Sequence, residues 1–239
     1  MSHHRLCLAA LTISLIPTNL HAEHIVDANI EASGGAVNIA KIKTIQREGE
    51  VEVDSPFGQF GGVQSEYLDV AGSRGCRVTD IGVALIEAGC DAKSGWQTVP
   101  QQGVVDMTDV QLLAASISGS ASPLARAKAK FGLDGFSVPV DEEFNETACV
   151  QTSVADGTLK FYINKETKLL EGMEVMAAGV VTFGEYSESE GVQLPGKMTT
   201  NQPERQVKVV ITYTETTLNG ELDEGVFANP NATGEEDSP

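Results

Sequence analysis

Residues 166–198, with the sequence ETKLLEGMEVMAAGVVTFGEYSESEGVQLPGKM, are the stretch that decides the fold. An apolar-rich segment at 169–177 is followed by a second at 180–186, and the polar run SESEG then separates them from the sequence VQLPGK. Alternation of apolar and polar residues is typical of β-strands, because successive side chains of a strand point to opposite faces. We therefore predict two antiparallel strands and a turn.

The rest of the chain predicts more antiparallel strands with a few helices inserted. Further strands are expected at residues 44–53, 63–70, 76–86, 95–99, 148–154, 159–164 and 206–216, and helices at 24–43, 107–118 and 124–131, with Asp106 as N-cap of the second helix. About ten short strands with two or three helices predict an α+β fold. We expect one large curved antiparallel sheet, an open half-barrel, that the helices cover on one face.

The first 22 residues predict an export signal. Arg5 supplies a positive charge, residues 6–16 are apolar, and Ala22 is a small residue suited to cleavage. The apolar run is too short for a stable membrane-spanning helix, although a retained anchor is the alternative. Removing 22 of the 239 residues leaves 217, which fits a single domain over 23–230, and the small, acidic end at 231–239 is expected to be disordered. These features predict a periplasmic or secreted protein without stable membrane insertion.

The charge of the chain limits its partners. The net charge of −18 becomes −19 when the signal is removed, because residues 1–22 contain one base and no acid. Nucleic acid is therefore excluded as a partner, since no basic stripe could replace the counterions on its phosphates. Steady adsorption to an anionic membrane is disfavoured for the same reason. A basic patch on a partner protein is the favourable match.

The histidines argue against catalysis. All four lie at positions 3, 4, 21 and 24, and only His24 follows the predicted cleavage point. Serine–histidine–aspartate and cysteine–histidine mechanisms are therefore not expected, and neither is a histidine-rich zinc site. The sequence predicts a non-enzymatic protein without a metal or a cofactor.

Three cysteines follow the predicted signal: Cys76, Cys90 and Cys149. An oxidising compartment permits a disulfide. Cys76 and Cys90 flank a candidate hairpin and are the preferred pair, which leaves Cys149 as a small buried hydrophobe. The alternative is that no pair forms, because disulfide geometry is strict and the turn between them does not fix the strand register.

Several longer motifs suggest a relationship. These are EASGGAVNIAKIKTIQREGE (31–50), GWQ (95–97), FYINKETKLL (161–170), TFGEY-x4-GV-x-LPGK (182–197) and LD-x3-F-x2-P (222–230). Together they resemble the LolA-like superfamily, which contains periplasmic lipoprotein carriers and outer-membrane lipoprotein-sorting proteins. The resemblance implies an open half-barrel with helices as a lid around an apolar cavity. It also implies a lipid or a lipoprotein acyl chain, and a membrane-associated protein, as partners.

Seven residues are candidates for lining such a cavity: Ile45, Arg47, Val51, Val53, Trp96, Phe161 and Phe183. Arg47 shares a strand face with apolar residues, where a charge is costly unless it is paired. It is either a polar latch that grips a head group or a lid carbonyl, or an edge arginine whose head reaches water. The aromatic residues either line the cavity or form an ordinary core.

Two functional hypotheses follow from these observations. In the first, the protein is an exported binding protein whose curved sheet holds an acyl chain or another hydrophobic ligand. In the second, it is a structural or interaction module of the cell envelope with a filled interior, which docks through an exposed sheet edge.

Overall fold

The computed structural model describes residues 18–99, 101–139, 146–154, 157–175 and 179–230, with side chains from His21 onward. Thirteen strands are formed: β1 (Thr44–Ser55), β2 (Gly58–Asp69), β3 (Arg74–Asp80), β4 (Leu85–Cys90), β5 (Gly95–Val99), β6 (Gly103–Asp106), β7 (Phe136–Ser137), β8 (Thr147–Val154), β9 (Gly157–Asn164), β10 (Leu170–Val175), β11 (Gly179–Ser189), β12 (Val192–Gln202) and β13 (Val207–Leu218). Four α-helices accompany them in the described residues: α1 (Thr18–Ala32), α2 (Gly35–Ile39), α3 (Asp109–Ser118) and α4 (Pro123–Phe131). A short 3-10 helix, Glu224–Phe227, follows the last strand.

All thirteen strands belong to one sheet, in the order β6-β5-β4-β3-β2-β1-β13-β12-β11-β10-β9-β8-β7. Neighbours are consecutive in sequence except at β1 and β13, which pair antiparallel with Val51 opposite Ile211. This pairing joins the two halves of the chain and places β1 in the interior of the sheet. Because the order has two ends, the sheet is open across the described residues. The predicted open antiparallel sheet with helices is confirmed, with more strands and one more helix than expected.

A glycine divides the first predicted helix. The apolar spacing predicts one helix over 24–43, but α1 ends at Ala32 and α2 begins at Gly35. Gly34 has φ +117, in the left-handed region that side chains rarely adopt. A Cβ at Gly34 would also lie 2.2 Å from the carbonyl oxygen of Gly191. The chain can therefore approach the β11–β12 turn closely.

Helices α3 and α4 each have their own N-cap. The N-cap of α3 is Thr108 rather than the predicted Asp106, because the Thr108 hydroxyl accepts from the Gln111 amide over 3.3 Å. The Gln111 side chain in return accepts from the Thr108 amide over 2.9 Å, which completes a capping box. Ser122 caps α4 by accepting from the Ala125 amide over 3.3 Å. Both helices thus satisfy part of their terminal donors within their own segments.

The strand predicted over 76–86 is in fact the end of β3, a turn and the start of β4. The turn is closed by the Ile81 amide, which donates to the Ala84 carbonyl over 3.1 Å, and by the Gly82 amide, which donates to Asp80 Oδ1 over 2.8 Å. The apolar residues of this turn gave it the appearance of a continuous strand. Residues 155–156 and 176–178, which separate or end predicted strands, lie outside the described residues.

The main core lies between the helices and one face of the sheet, which we call the inner face and define by Ile45, Arg47, Val51 and Val53. Cross-strand register continues this face from Val51 to Ile211 on β13, and from there to Met198 on β12. The helices contribute Val26 and Ile30 from α1, Ile117 from α3, and Leu124 and Ala127 from α4. Burial of each large side chain contributes about 1.5–3 kcal/mol, so this interface stabilises the fold.

The predicted cleavage point, after Ala22, lies inside helix α1. Ala22 itself is fully buried in the main core. Residues 1–17 and 231–239 lie outside the described residues, so the export signal and the disordered acidic end stay predictions. No helix of the described part of the chain is long and apolar enough to cross a membrane.

Candidate functional site

A buried ion pair lies on the inner face at the centre of the sheet. Arg47 on β1 has a side chain 5% exposed, and its Nη1 lies 3.6 Å from Oε2 of Glu66 on β2. The guanidinium carbon of Arg47 lies 4.8 Å from the ring centroid of Tyr213 on β13. The Tyr213 hydroxyl donates to Glu66 Oε2 over 3.3 Å. Because β1 is an interior strand and Arg47 is buried, the predicted alternative of an edge arginine whose head reaches water is wrong.

Two hydrogen-bond donors of this cluster have no partner among the described residues. They are the buried Nε of Arg47 and Nε2 of Gln64. Gln64 is 2% exposed, and only its Oε1 is engaged, by the Thr79 hydroxyl over 3.1 Å. A buried unsatisfied donor costs about 1–3 kcal/mol. The cluster is therefore short of acceptors.

Burial also governs the tyrosines of the inner face. It raises the pKa of Tyr213 to about 12, with the Glu66 carboxylate adding to the rise. Burial likewise raises the pKa of Tyr186, whose hydroxyl donates to the Leu170 carbonyl over 2.6 Å. Both phenols therefore remain neutral hydrogen-bond donors at physiological pH.

A small cavity of about 20 Å³ separates this cluster from the linker between α3 and α4. Its walls include Arg47, Tyr213, Phe183 and Met198 from the sheet, and Ser118 and Ser120 from the linker side. The two serine hydroxyls donate to carbonyls of α3, Ser118 to Ala114 and Ser120 to Ile117. A volume of this size holds about one water molecule.

The remainder of the inner face is packed by the protein's own side chains. Phe161 is fully buried, with its ring centroid 6.2 Å from that of Phe136. A second cavity, between β2, β3 and α3, has a volume of about 30 Å³. Pockets for drug-sized ligands usually measure about 300–1,000 Å³, so neither of these two cavities holds such a ligand in this conformation.

Six of the seven predicted cavity residues lie on the inner face: Ile45, Arg47, Val51, Val53, Phe161 and Phe183. The register places Val53 opposite Val209, and Phe161 opposite Met173, on that face. Whether these residues contact a ligand stays a prediction.

Trp96 is the exception, and lies on the opposite, outer face. It pairs with Gly89, which pairs with Cys76 of β3 and through it with Tyr67 of β2. Strand residues that lie directly opposite one another share a face. Tyr67 lies opposite Gln46, so Trp96 is on the same face as Gln46, and Ile45 is on the other face. Trp96 borders an outer pocket of about 270 Å³ beside the C-terminal 3-10 helix.

The disulfide expected between Cys76 and Cys90 is not formed. Both are free thiols, and β3–β4 register pairs Cys76 with Gly89 and Cys90 with Gly75. The two cysteines are thus one residue out of register, and their side chains point to opposite faces, which no disulfide can bridge. Burial raises the pKa of Cys76 to about 11 and also raises that of Cys90.

An arginine fastens the C-terminal segment to the outer face. Arg74 Nη2 lies 2.7 Å from Asp69 Oδ2 and its Nη1 lies 2.6 Å from Glu224 Oε2. Its guanidinium also stacks 4.6 Å from the ring centroid of Phe227. The hydrogen bonds to Glu224 and Asp69 raise the pKa of Arg74 above its ordinary value. These contacts hold the 3-10 helix over the row that contains Trp96.

A surface depression of about 390 Å³ lies against α3 and α4. It is lined by acids (Asp91, Asp109), bases (Arg126, Lys130) and leucines (Leu112, Leu113). Arg126 is already engaged, since it donates to the Ser73 hydroxyl over 2.7 Å. Within the described ranges, no group of three or more His, Cys, Asp or Glu side chains could hold a metal ion.

Sequence reasoning identified Arg47 but missed its partners Glu66, Gln64 and Tyr213 as a group. The alternation of β2 was the available signal, because it places Gln64 and Glu66 on the same face as the apolar Leu68. The cross-strand register that brings these three strands together is not written in any single segment.

Compared by sequence, the chain matches no protein-family model and no curated protein. By structure it is similar to a putative outer membrane lipoprotein-sorting protein domain from Vibrio parahaemolyticus, with a TM-score of 0.57 and 13% identity. It is similar to a LolA superfamily protein from Nitrosomonas europaea, with a TM-score of 0.56 and 10% identity. A DUF1329 family protein from Desulfovibrio piger gives a TM-score of 0.56 and 11% identity. In each case 87% of this chain and 97% of the other chain are covered.

These similarities confirm the resemblance to the LolA-like superfamily at the level of the fold. They extend over most of the chain, so the general fold is shared. Fold alone does not define a ligand, because one fold hosts many functions.

Proposed function

We propose that the protein is an exported, non-enzymatic binding protein of the cell envelope, which holds a lipid, a lipoprotein acyl chain or another hydrophobic ligand. The ligand lies between the inner face and helices α3 and α4. The supporting observation is that Val51 and Phe183 share this face with Arg47, whose buried Nε has no hydrogen-bond partner in the part of the chain that the structure describes. Such a face matches an amphipathic molecule, with hydrocarbon against the apolar rows and an oxygen at the donors.

The unpaired donors favour a particular polar group. Arg47 and Gln64 both offer N–H groups, so the matching ligand atom is an acceptor oxygen. Glu66, 3.6 Å from Arg47, balances the arginine charge. A neutral ester or amide carbonyl therefore suits the cluster better than an isolated anion. Esters and amides are the groups through which an acyl chain is attached.

Ligand access requires α3 and α4 to move away from the sheet. Ile117, Leu124 and Ala127 of these helices are fully buried and occupy the space that an acyl chain would take. Each helix has its own N-cap, and small residues connect them at 119–121. The helix pair can therefore keep its internal structure when it is displaced.

The filled interior supports a second candidate, a structural or interaction module without a ligand. Its specific basis is the volume of the two cavities next to the inner face, about 20 and 30 Å³. In this alternative the unpaired donors are a cost of packing, and α3 and α4 stay in place.

A disulfide lock on the helix pair distinguishes the two candidates. A Cβ built on Gly119 at the end of α3 lies 3.0 Å from Leu68 Cδ2 on β2, so Leu68→Cys with Gly119→Cys is the pair chosen for the lock, and its oxidation is checked by mass. Cys90 is replaced by serine in this background, because it lies near the same site. The probe is N-phenyl-1-naphthylamine, whose fluorescence rises in apolar surroundings.

The binding protein should take up the probe in the reduced variant and lose at least ten-fold in affinity on oxidation. Gly119→Cys alone, oxidised in parallel, is the control and should bind as the reduced form does. Equal uptake by the locked and unlocked forms, or no uptake by either, would refute binding beneath the helices. The second of these results would favour the filled module.

A further inference from the structure

Strand β2 extends beyond the end of its neighbour β3. We call the place where β3 ends the step in the sheet. The pairing of β2 with β3 begins at Val63, which lies opposite Asp80 at the end of β3. Residues 58–61 of β2 pair with β1 on one side, and no strand of the described residues pairs with their other side. Alternate residues of an antiparallel strand direct N–H and C=O groups to each neighbour. The segment Gly58–Gly61 is therefore a free backbone edge, and a free edge is a template for another strand.

Exposed apolar side chains surround this step. Phe57 at the tip of the β1–β2 hairpin is 91% exposed, and Val83 in the β3–β4 turn is 72% exposed. Val63 and Leu85, which flank Asp80 on the outer face, are 59% and 55% exposed. Several large apolar groups around one free edge are unusual for a surface that contacts only water.

The outer face beside the step is strongly acidic. Glu50, Glu52 and Asp54 of β1 are exposed, and Asp80 of β3 is exposed beside them. Further along β1, Glu48 lies directly opposite Glu215 of β13, a like-charge pair that destabilises a sheet. The outer-face positions of β1 to β4, all described, include one base, Arg74, which Asp69 and Glu224 engage, and on β13 Lys208 lies opposite Asp54. An approaching partner of positive charge is therefore favoured, and an anionic lipid surface is repelled.

We infer that the free edge at Gly58–Gly61 binds an extended, basic segment of a partner protein as an added β-strand. Main-chain hydrogen bonds supply the affinity in this mode of recognition, and side-chain pockets supply the specificity. Gly61 lies opposite Glu52. Because Gly61 has no side chain, no side chain of β2 stands between Glu52 and the added strand at this position. A lysine or arginine beside Gly61 reaches Glu52 across about 10 Å between Cα atoms, which is two strand spacings. Apolar residues of the segment alternate with the basic ones and therefore lie on the inner side, next to Phe60, which is opposite Val53.

The test uses a synthetic acetylated octapeptide of alternating lysine and valine, an acidic counterpart of alternating glutamate and valine, and the full chain. The main variant is Gly61→Lys, which places a positive charge in the gap next to Glu52. A Cβ at Gly61 meets only the Val51 carbonyl oxygen at 4.0 Å, so the fold accepts a side chain there. Gly61→Ala is the matched control, and Glu52→Gln tests the acid. Binding is measured by fluorescence anisotropy, and amide hydrogen exchange locates the bound strand.

The basic peptide should bind at least ten-fold more tightly than the acidic one, and should slow exchange within residues 58–63. Gly61→Lys should weaken it at least ten-fold and Glu52→Gln several-fold, while Gly61→Ala changes affinity less than two-fold. The inference is overturned by equal binding to Gly61→Lys, by equal binding of the acidic peptide, or by protection at β6 or β7 instead. Sedimentation that shows a dimer lost in Gly61→Lys would make a second copy of the chain the occupant, and would also overturn it. Uptake of the naphthylamine probe should be unchanged in Gly61→Lys, so this inference fails or stands independently of the proposed function.

Discussion

Replacement of Arg47 by methionine tests the buried ion pair at the centre of the inner face. Methionine keeps much of the length of the side chain but removes the charge that faces Glu66. The side chains of Arg47 and Glu66 are only 5% and 11% exposed, so water screens the pair little. Removing one partner of a buried pair costs about 3–5 kcal/mol, because the other charge is left without compensation. Among the described residues, the Tyr213 hydroxyl still donates to the Glu66 carboxylate over 3.3 Å, and Arg77 lies directly opposite Glu66 on β3.

The free energy of unfolding, from urea denaturation followed by circular dichroism, is the quantity to measure. Arg47→Met should lower it by about 3–5 kcal/mol, a large part of the about 5–15 kcal/mol of a typical domain. The double variant Arg47→Met with Glu66→Leu should be more stable than Arg47→Met alone, because no uncompensated charge remains. A loss below about 1 kcal/mol in the single variant would refute this account of the cluster, as would simple additivity of the two single variants.

Three further predictions concern the rest of the molecule. Phe161→Ala should lower the free energy of unfolding by about 3–5 kcal/mol, since the ring is fully buried. The control Phe57→Ala, at an exposed position, should change it by less than about 0.5 kcal/mol. Similar values for both variants would contradict the packing described. Gly34→Ala should cost at least about 2 kcal/mol in the same assay, because φ is +117 and a Cβ would collide with a carbonyl; a loss under about 1 kcal/mol would show that the turn adapts. Arg74→Met should cost at most about 1 kcal/mol at pH 7. Burial raises the pKa of Asp69, but hydrogen bonds from a backbone amide and Arg74 outweigh it and lower the pKa below its ordinary value. The stability from this pair is therefore present above that ordinary value and lost in more acidic solution, so the deficit of the variant should shrink below pH of about 4 and a constant deficit would contradict the assignment.

The strand pattern predicted much of the fold because period-two alternation is a local property. The alternation of β1 placed Ile45, Arg47, Val51 and Val53 on one face, and the structure keeps them there. The division of the first helix was harder to predict, because it depends on the approach of Gly34 to a turn more than 150 residues later.

The faces of short strands could not be predicted from their own residues. In β5 the five residues GWQTV fit either orientation, and only the pairing of Trp96 with Gly89 fixes the tryptophan on the outer face. The same register separates Cys76 from Cys90, although both flank the hairpin as predicted. Side-chain partners set by distant strands are therefore the part of the site that sequence could not provide.

The burial of Arg47 follows the same rule. Its strand face was predicted, but its depth depends on β13, which pairs with β1 from the other end of the chain. The partner acid and the tyrosine above the guanidinium come from two different strands. An arginine on an interior strand and one on an edge strand give the same local pattern, and the sheet order shows that Arg47 is on an interior strand.

The central claim is that the inner face opens to hold an amphipathic ligand. Native mass spectrometry of the protein, exported by its own cells and purified without detergent, tests this claim most directly. We predict a species heavier than the polypeptide by one acyl-bearing molecule, and its loss when the oxidised Leu68→Cys, Gly119→Cys lock is in place. The mass of the bare polypeptide in every preparation would contradict the claim.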